Sequence, residues 1–332
     1  MLLCICIPTL NRRNKLQITL NYHLNNINNK EVFFVVSDNC SEDDTKDLLK
    51  KTKKKYSNFD YQIQKRNIGP DANFDFVLNF GKSKGAKYLW LLGDDDIINT
   101  KRLNEILDYL KTRSPHLAIV NSKNQVNKKI NHHLHDLNYL LENLAWHTTF
   151  MSTLIYSKEA INFKLSRKDI KSFEHMFRVF DYLTSVKKIS VIWIQEITIS
   201  SIRLDNHMPS WMINILDVFV KDWTHSISAL PDHYSDKSKT KAIRKLWKNS
   251  KVVNYKVLIY LIFSKQLKYS DTRLHKEKLI LCIGILKYYL VLTSFLVPSF
   301  FSVRFARFFY ELKMRKSMKD TSRFFLKMKN EK

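Results

Sequence analysis

Three consecutive carboxylates, Asp94-Asp95-Asp96, follow the largely apolar stretch Lys87–Leu92 and a single glycine. Adjacent negative charges at the end of a buried segment repel one another and cost desolvation unless a cation offsets them. All-oxygen ligands suit Mg²⁺ or Mn²⁺, ions that are commonly shared with a diphosphate. The competing interpretation is a solvated acidic turn that caps the next helix, and an aspartate run alone does not separate the two. Two further polar groups occupy comparable positions. Asp38 ends an apolar run and opens Asn39-Cys40-Ser41-Glu42-Asp43-Asp44-Thr45. A carboxylate there can accept a hydrogen bond from a base imide or a ribose hydroxyl, although Ser41 also reads as a plain helix cap. Arg66-Asn67-Ile68-Gly69-Pro70-Asp71 sets a cation and a turn glycine before a helix whose N-terminus suits an anion.

Positioning these groups falls to alternating elements. Apolar runs at Leu2–Ile7, Glu31–Ser37, Tyr61–Gln64, Lys87–Leu92 and Leu117–Val120 read as buried strands. Helical patterns at Asn14–Leu24, Ser41–Lys54, Asp71–Phe80 and Lys101–Thr112 fall between them. That alternation predicts a parallel sheet with crossover helices, which binds ligands beyond the carboxyl ends of its strands. Each polar group above sits at such an end. Taken singly they are ambiguous; successive placement at the strand ends of one sheet makes them a site. Farther on, Phe150–Tyr156 and Ile189–Ile194 read as strands and Ser172–Val186 as a helix.

The charge is unevenly spread. The chain of 332 residues carries a formal net charge of +25, yet residues 233–332 hold 24 Lys and Arg against 6 Asp and Glu. A polyanionic partner is implied for that region. Its bases interleave with the apolar runs Val252–Phe263 and Leu279–Val303, and no nucleic-acid-binding signature is present. An anionic membrane surface is therefore the expected partner, and nucleic acid is not. Interfacial helices fit best. The alternatives are a single transmembrane helix near 279–303, a stretch that Gly284, Lys287 and Pro298 interrupt, and a buried core helix pair. The four cysteines, Cys4, Cys6, Cys40 and Cys282, lack metal-ligand spacing and read as free thiols in a reducing compartment. With no signal-peptide pattern at the N-terminus, the expected location is cytoplasmic, peripheral on the inner face of the plasma membrane.

Four stretches carry a family resemblance: Ile7-Pro8-Thr9-Leu10-Asn11-Arg12, Ser37-Asp38-Asn39 through Asp44-Thr45, Arg66-Asn67-Ile68-Gly69, and Trp90-Leu91-Leu92-Gly93-Asp94-Asp95-Asp96. Together they resemble glycosyltransferase family 2, and within it the abequosyltransferase-like branch that builds bacterial surface polysaccharides. The resemblance spans about residues 1–205 and is firmest over 1–100. It implies an α/β GT-A fold (Rossmann-like, a mostly parallel sheet with flanking helices), a nucleotide-sugar donor, a divalent metal, Mg²⁺ or Mn²⁺, and inversion at the anomeric carbon. By position, Pro8, Asn11, Arg12, Asp38 and Arg66 line the donor pocket, while Asp94, Asp95 and Asp96 hold ribose, metal and diphosphate. Arg203 resembles a residue of a segment that closes over the diphosphate, with His207 as a further metal ligand.

The acceptor half departs from the family pattern. Many members open a helix with a Glu-Asp pair whose Asp is the general base; here the pair is Glu174-His175. A neutral imidazole can accept a proton from a sugar hydroxyl, so His175 takes the base role and Glu174 is second choice. A surface histidine of no catalytic role is the competing view. Trp146, Thr148 and Ser152 are expected to line the acceptor cleft, core packing of the aromatic being the alternative. The organisation expected is a transferase domain over 1–232, with donor binding in 1–120 and the acceptor side in 121–232. A basic amphipathic helical region over 233–332 follows. The acceptor implied is a lipid-linked saccharide or a polysaccharide. The rival function is a membrane-binding protein whose transferase domain is degenerate; the intact Asp38, Arg66 and Asp94–Asp96 set argues against it.

Overall fold

The computed structural model describes residues 1–122, 126–165, 171–202, 212 and 214–298. Arg203, His207 and the basic tail Arg304–Lys332 lie outside the described residues. Two compact units emerge: Met1–Ser201 with Leu230–Ser235, and a second built from Ile202–Ala229 and the chain from Asp236 onward. Leu230–Ser235 returns to the first unit through Tyr234, whose hydroxyl donates to the Phe180 carbonyl at 2.7 Å.

In the first unit, β1 (Leu3–Thr9) is buried at every residue, as a strand covered on both faces must be. It pairs in parallel with β2 (Val32–Asp38) and β4 (Tyr88–Leu91), and β3 (Phe59–Ile63) adds in parallel to β2. The crossovers are α1 (Arg13–Asn26), α2 (Thr45–Lys55) and α3 (Pro70–Ser83). Asp47 in the first turn of α2 and Lys53, Lys54 and Lys55 in its last complement the helix dipole. Pro70 at the start of α3 presets the helical φ where no N–H is needed. α3 lies close on β1 because Gly81 has no side chain; a Cβ there would sit 2.6 Å from Cys6 Sγ.

The rest of the unit comprises β5 (Asp96–Ile98), α4 (Leu103–Arg113), β6 (Leu117–Ser122), β7 (His133–Leu134), α5 (Leu137–Thr148), β8 (Leu154–Ser157), α6 (Lys158–Asn162), α7 (Glu174–Thr184) and β9 (Val191–Ser201). The sheet order is β3-β2-β1-β4-β8-β6-β9-β5, with β7 on β9. β3, β2, β1, β4, β6 and β9 share one direction, which gives the mostly parallel sheet expected. β8 runs antiparallel between β4 and β6, so the strand that follows β4 in the sheet is not the next in sequence. Ile5, Phe34, Trp90, Ile106 and Ile155 are fully buried in one core. Each such side chain stabilises by about 1.5–3 kcal/mol relative to exposure.

The second unit is helical: a π-helical stretch Asp217–Asp222 running into Trp223–Ser228, then Asp236–Asn249, Tyr255–Phe263, Tyr269–Leu274, Lys276–Ile283 and Ile285–Thr293. Asn254 caps Tyr255–Phe263 by accepting from the Lys256 and Val257 N–H groups. Trp223, Trp247, Leu258, Leu279 and Tyr288 are buried, and the Trp247 indole donates to the Phe219 carbonyl at 3.1 Å. The alternative of one spanning helix near 279–303 is corrected here. Gly284, at φ +84°, separates Lys276–Ile283 from the next helix, and the chain bends by 118° between Lys276–Ile283 and Ile285–Leu296. Among the described residues no single helix is long and apolar enough to cross a membrane.

Candidate active site

The carboxyl ends of β1, β2 and β4 bring together Thr9, Asn11 and Arg12, then Asp38 to Ser41, then Gly93 to Asp96. The Arg12 guanidinium pairs with Asp94 at 2.8 Å and also with Asp95, while Lys15 approaches Asp95 at 3.9 Å. Thr9 Oγ1 donates to Asp94 Oδ2 at 2.8 Å, and Thr19 Oγ1 to the Asp94 carbonyl at 2.8 Å. Asp96 points the other way. It accepts from Ser152 Oγ and from Ser201 Oγ, each at 2.5 Å. Ser152 Oγ in turn accepts the Gly93 N–H at 2.8 Å, and the Ser152 carbonyl accepts from the Trp90 indole at 2.9 Å. Gly93 admits this close approach, since a Cβ there would lie 2.5 Å from Asp96 Oδ2.

Burial dominates the electrostatics. It pushes Asp94 up to about 7 against the pull of Arg12, and raises Asp96 likewise, with Asp95 adding like-charge repulsion to both. Burial works against the Arg12 charge, but Asp94 and Asp95 outweigh it and hold the guanidinium above its ordinary value. Such a cluster gains from an added cation. Among the described residues no three His, Cys, Asp or Glu side chains converge as a ligand set. A Mg²⁺ or Mn²⁺ shared with a diphosphate needs only one or two protein carboxylates. Asp95, with its side chain one quarter exposed, is the most open of the three, so the donor chemistry fits such an ion.

The Asp38 corner is built by two loops. Asp38 Oδ1 accepts from the Ser41 N–H at 3.1 Å and from Ser41 Oγ at 2.5 Å. Its other oxygen, Oδ2, is buried without a hydrogen-bond partner, and burial raises the carboxyl above its usual range. An orphaned buried acceptor at a strand end is a place for a ligand donor. Asn11 Oδ1 accepts the Glu42 N–H at 2.7 Å, and the Asn11 N–H donates to Ser41 Oγ at 2.8 Å. Asn11 (φ 53°) and Cys40 (φ 68°) both hold left-handed backbone, a strain that packed loops store at binding sites. Asn39 fastens the Arg66 loop to this corner: its amide donates to Asn67 Oδ1 at 3.0 Å, and its Oδ1 accepts the Ile68 N–H at 2.9 Å. Arg66 itself is exposed, and Pro8 is buried within β1 beside Ser37.

The turn after α5 leads to the second group. Ser152 holds Asp96, whereas Thr148, four residues earlier, presents its carbonyl to His175. His175 and Glu174 open α7. The His175 ring is buried, meets Phe74 edge-on at 6.2 Å, and makes no hydrogen bond of good geometry from either nitrogen. Desolvation lowers it to about 4, so the ring is neutral near pH 7. It is not a surface histidine. A shallow pocket beside it is lined by Asp71, Phe74, Asp75, Tyr156, Glu174 and Arg178. Arg178 pairs there with Asp75 at 2.6 Å and with Glu174 at 3.3 Å. Trp146 packs in the core against His147, and its indole donates to the Asn143 carbonyl at 2.9 Å. Sequence reasoning did not single out Thr19, Ser201, Asp75 or Tyr156. A hydroxyl or acid whose partner is far away in sequence leaves no local signal.

A family model, described as glycosyl transferase family 2, matches residues 4–178, more than half of the chain. The chain belongs to glycosyl transferase family 2. Over 121 residues it is 33% identical to abequosyltransferase RfbV of Salmonella typhimurium, a match covering 34% of this chain and 34% of the relative. The alignment thus spans about a third of the length of that curated relative. Among solved structures, S. aureus TarS 1–349 in complex with UDP-GlcNAc superposes with a TM-score of 0.55 at 16% identity, over 89% of this chain and 91% of that one. The mannosyltransferase PcManGT from Pyrobaculum calidifontis, in complex with GDP-Man and Mn²⁺, gives 0.53 at 11% identity, over 91% and 87%. At these identities the likeness shows the GT-A fold. For this family 2 chain, the match ends at Arg178, within α7, and so takes in Asp38, Asp94–Asp96, Glu174 and His175.

Proposed function

We propose that this family 2 protein transfers a sugar from a nucleotide-sugar donor to an acceptor hydroxyl with inversion at the anomeric carbon. The observation that carries the reading is the Arg12–Asp94–Asp95–Asp96 cluster beside the orphaned Asp38 carboxylate, at the strand ends where α/β sheets bind ligands. Asp38 Oδ2 would accept from the base or ribose of the donor. Asp95 would hold Mg²⁺ or Mn²⁺ against the diphosphate, Asp94 would keep Arg12 in place, and Asp96 would join the ion by turning from Ser152 and Ser201. The ion, when bound, neutralises charge on the departing diphosphate. Arg66 and Arg203 would add cations to the same phosphates. The binding of UDP-GlcNAc by TarS, and of GDP-Man with Mn²⁺ by PcManGT, supports this assignment.

His175 is the proposed base. Its ring is neutral near pH 7, so its unprotonated nitrogen can receive the acceptor proton as the nucleoside diphosphate departs from the opposite face of the sugar. Glu174 is already tied to Arg178, which makes it the weaker choice. Thr148 and Ser152, both fully buried, would support the acceptor cleft from behind together with Trp146. The basic region from 233 onward would keep the enzyme on an anionic membrane surface, as suits a lipid-linked acceptor in bacterial surface-glycan synthesis. A panel of UDP- and GDP-sugars, scored for metal-dependent release of the nucleoside diphosphate by the full chain, tests the activity. No turnover and no binding of any donor would leave the rival, a degenerate domain.

A further inference from the structure

Of the ten large apolar side chains that the described surface leaves exposed, eight lie between Tyr269 and Val297. Four of them, Ile285, Leu286, Tyr289 and Leu290, recur at i, i+1, i+4 and i+5 along the helix Ile285–Thr293, and so share one face. Tyr288 and Val291 on the same helix are buried, which fixes the exposed side as the one turned from the core. Leu286 is 84% exposed, and Leu296, in the turn that follows, 81%. A helix of nine residues cannot cross a bilayer, and Gly284 bends it sharply from the helix before it. A contiguous apolar face of this kind on a folded unit calls for a partner.

The charge around it selects that partner. Between residues 264 and 298 the exposed bases are Lys265, Lys268, Arg273, Lys276, Lys278 and Lys287, against Asp271 and Glu277. Tyr269 lies between this basic set and the apolar turn, with Arg273 over its ring at 6.0 Å and Phe295 edge-on at 5.4 Å. Amphipathic rings and long basic stems beside a leucine-rich face match the boundary between headgroups and acyl chains.

We infer that the helix Ile285–Thr293 and the turn through Val297 form a short wedge that inserts its apolar face into one leaflet of an anionic bilayer. The inference rests on the membrane-surface reading above and adds the element and the mode: insertion, rather than charge attraction alone. The test uses the full-length protein in flotation with vesicles of phosphatidylcholine alone and of phosphatidylcholine with phosphatidylglycerol, at low and high salt. Wild-type protein should float with the anionic vesicles and keep part of that binding at high salt. The double variant Leu286→Glu/Leu290→Glu should lose about tenfold or more of its partitioning, with nucleotide-diphosphate binding and melting temperature unchanged. In Leu286→Trp, quenching by brominated acyl chains should exceed the wild-type background. Wild-type flotation that the double variant matches, with no added quenching, overturns the wedge and leaves the membrane surface standing. Absence of wild-type flotation with either vesicle overturns both. A wild-type dimer that the double variant splits, without flotation, assigns the face to a second copy and overturns the inference.

Discussion

Ser152 donates a 2.5 Å hydrogen bond to Asp96 and accepts the Gly93 N–H at 2.8 Å, fixing the turn after α5 to the end of the aspartate run. Replacing it by alanine removes a hydroxyl from a buried carboxylate and strands a buried N–H. Ser152→Ala should therefore cost about 1–3 kcal/mol of stability and lower kcat by about tenfold. Thermal unfolding and steady-state kinetics on the same preparation check both effects.

Asp96→Asn should abolish transfer, by about 100-fold or more in kcat, while the protein stays folded. The sign of its stability effect follows from burial. Asp96 in the fold is raised above its unfolded value, so its contribution is fully present below about 4, the unfolded carboxylate value, and is lost as pH rises through the raised folded value. The neutral variant escapes that loss. Its melting temperature relative to wild type should be higher at pH 8 than at pH 5, and a difference that does not grow with pH would show that Asp96 is not held in a desolvated carboxylate site.

Burial pushes Asp94 up to about 7 and raises Asp96 as well, yet Asp94 must be ionised to hold Arg12 and Asp96 to serve a cation. Mn²⁺ binding in the presence of a nucleoside diphosphate should strengthen about tenfold from pH 6 to pH 8 and release protons. Calorimetry in buffers of different ionisation enthalpy measures the release; a pH-independent affinity would place the ion elsewhere.

His175→Ala is expected to lower kcat by about 100-fold, with donor affinity little changed. Because burial lowers His175 to about 4, wild-type kcat at saturating donor and metal should lack an acid limb near 6.5 assignable to this ring. A drop in donor affinity alone would make His175 a donor-site support, and an unchanged kcat would move the role to Glu174.

Much of this was legible because local pattern and burial coincide in the first unit. β1 is buried on both faces, so its apolar run is continuous, and the polar residues that break it mark the site. Asp38, Asp94 and Arg12 could be read from their positions at strand ends. The insertion of β8 between β4 and β6 could not, because strand order is set by pairing across the sheet and leaves no trace in periodicity. Nor could the end of α5, where Trp146, His147 and Thr148 are buried together, so the aromatic expected at the acceptor cleft packs in the core. The burial of His175 was equally hidden: a histidine next to Glu174 at a helix start looks exposed until Phe74 covers it.

The most direct test of the central claim is release of nucleoside diphosphate from a panel of UDP- and GDP-sugars by the purified full-length protein, with Mn²⁺ and with EDTA. At least one donor should turn over with Mn²⁺, fall to background with EDTA, and fail with Asp95→Asn and Asp96→Asn. Full turnover in EDTA and in both variants would contradict the account at its centre.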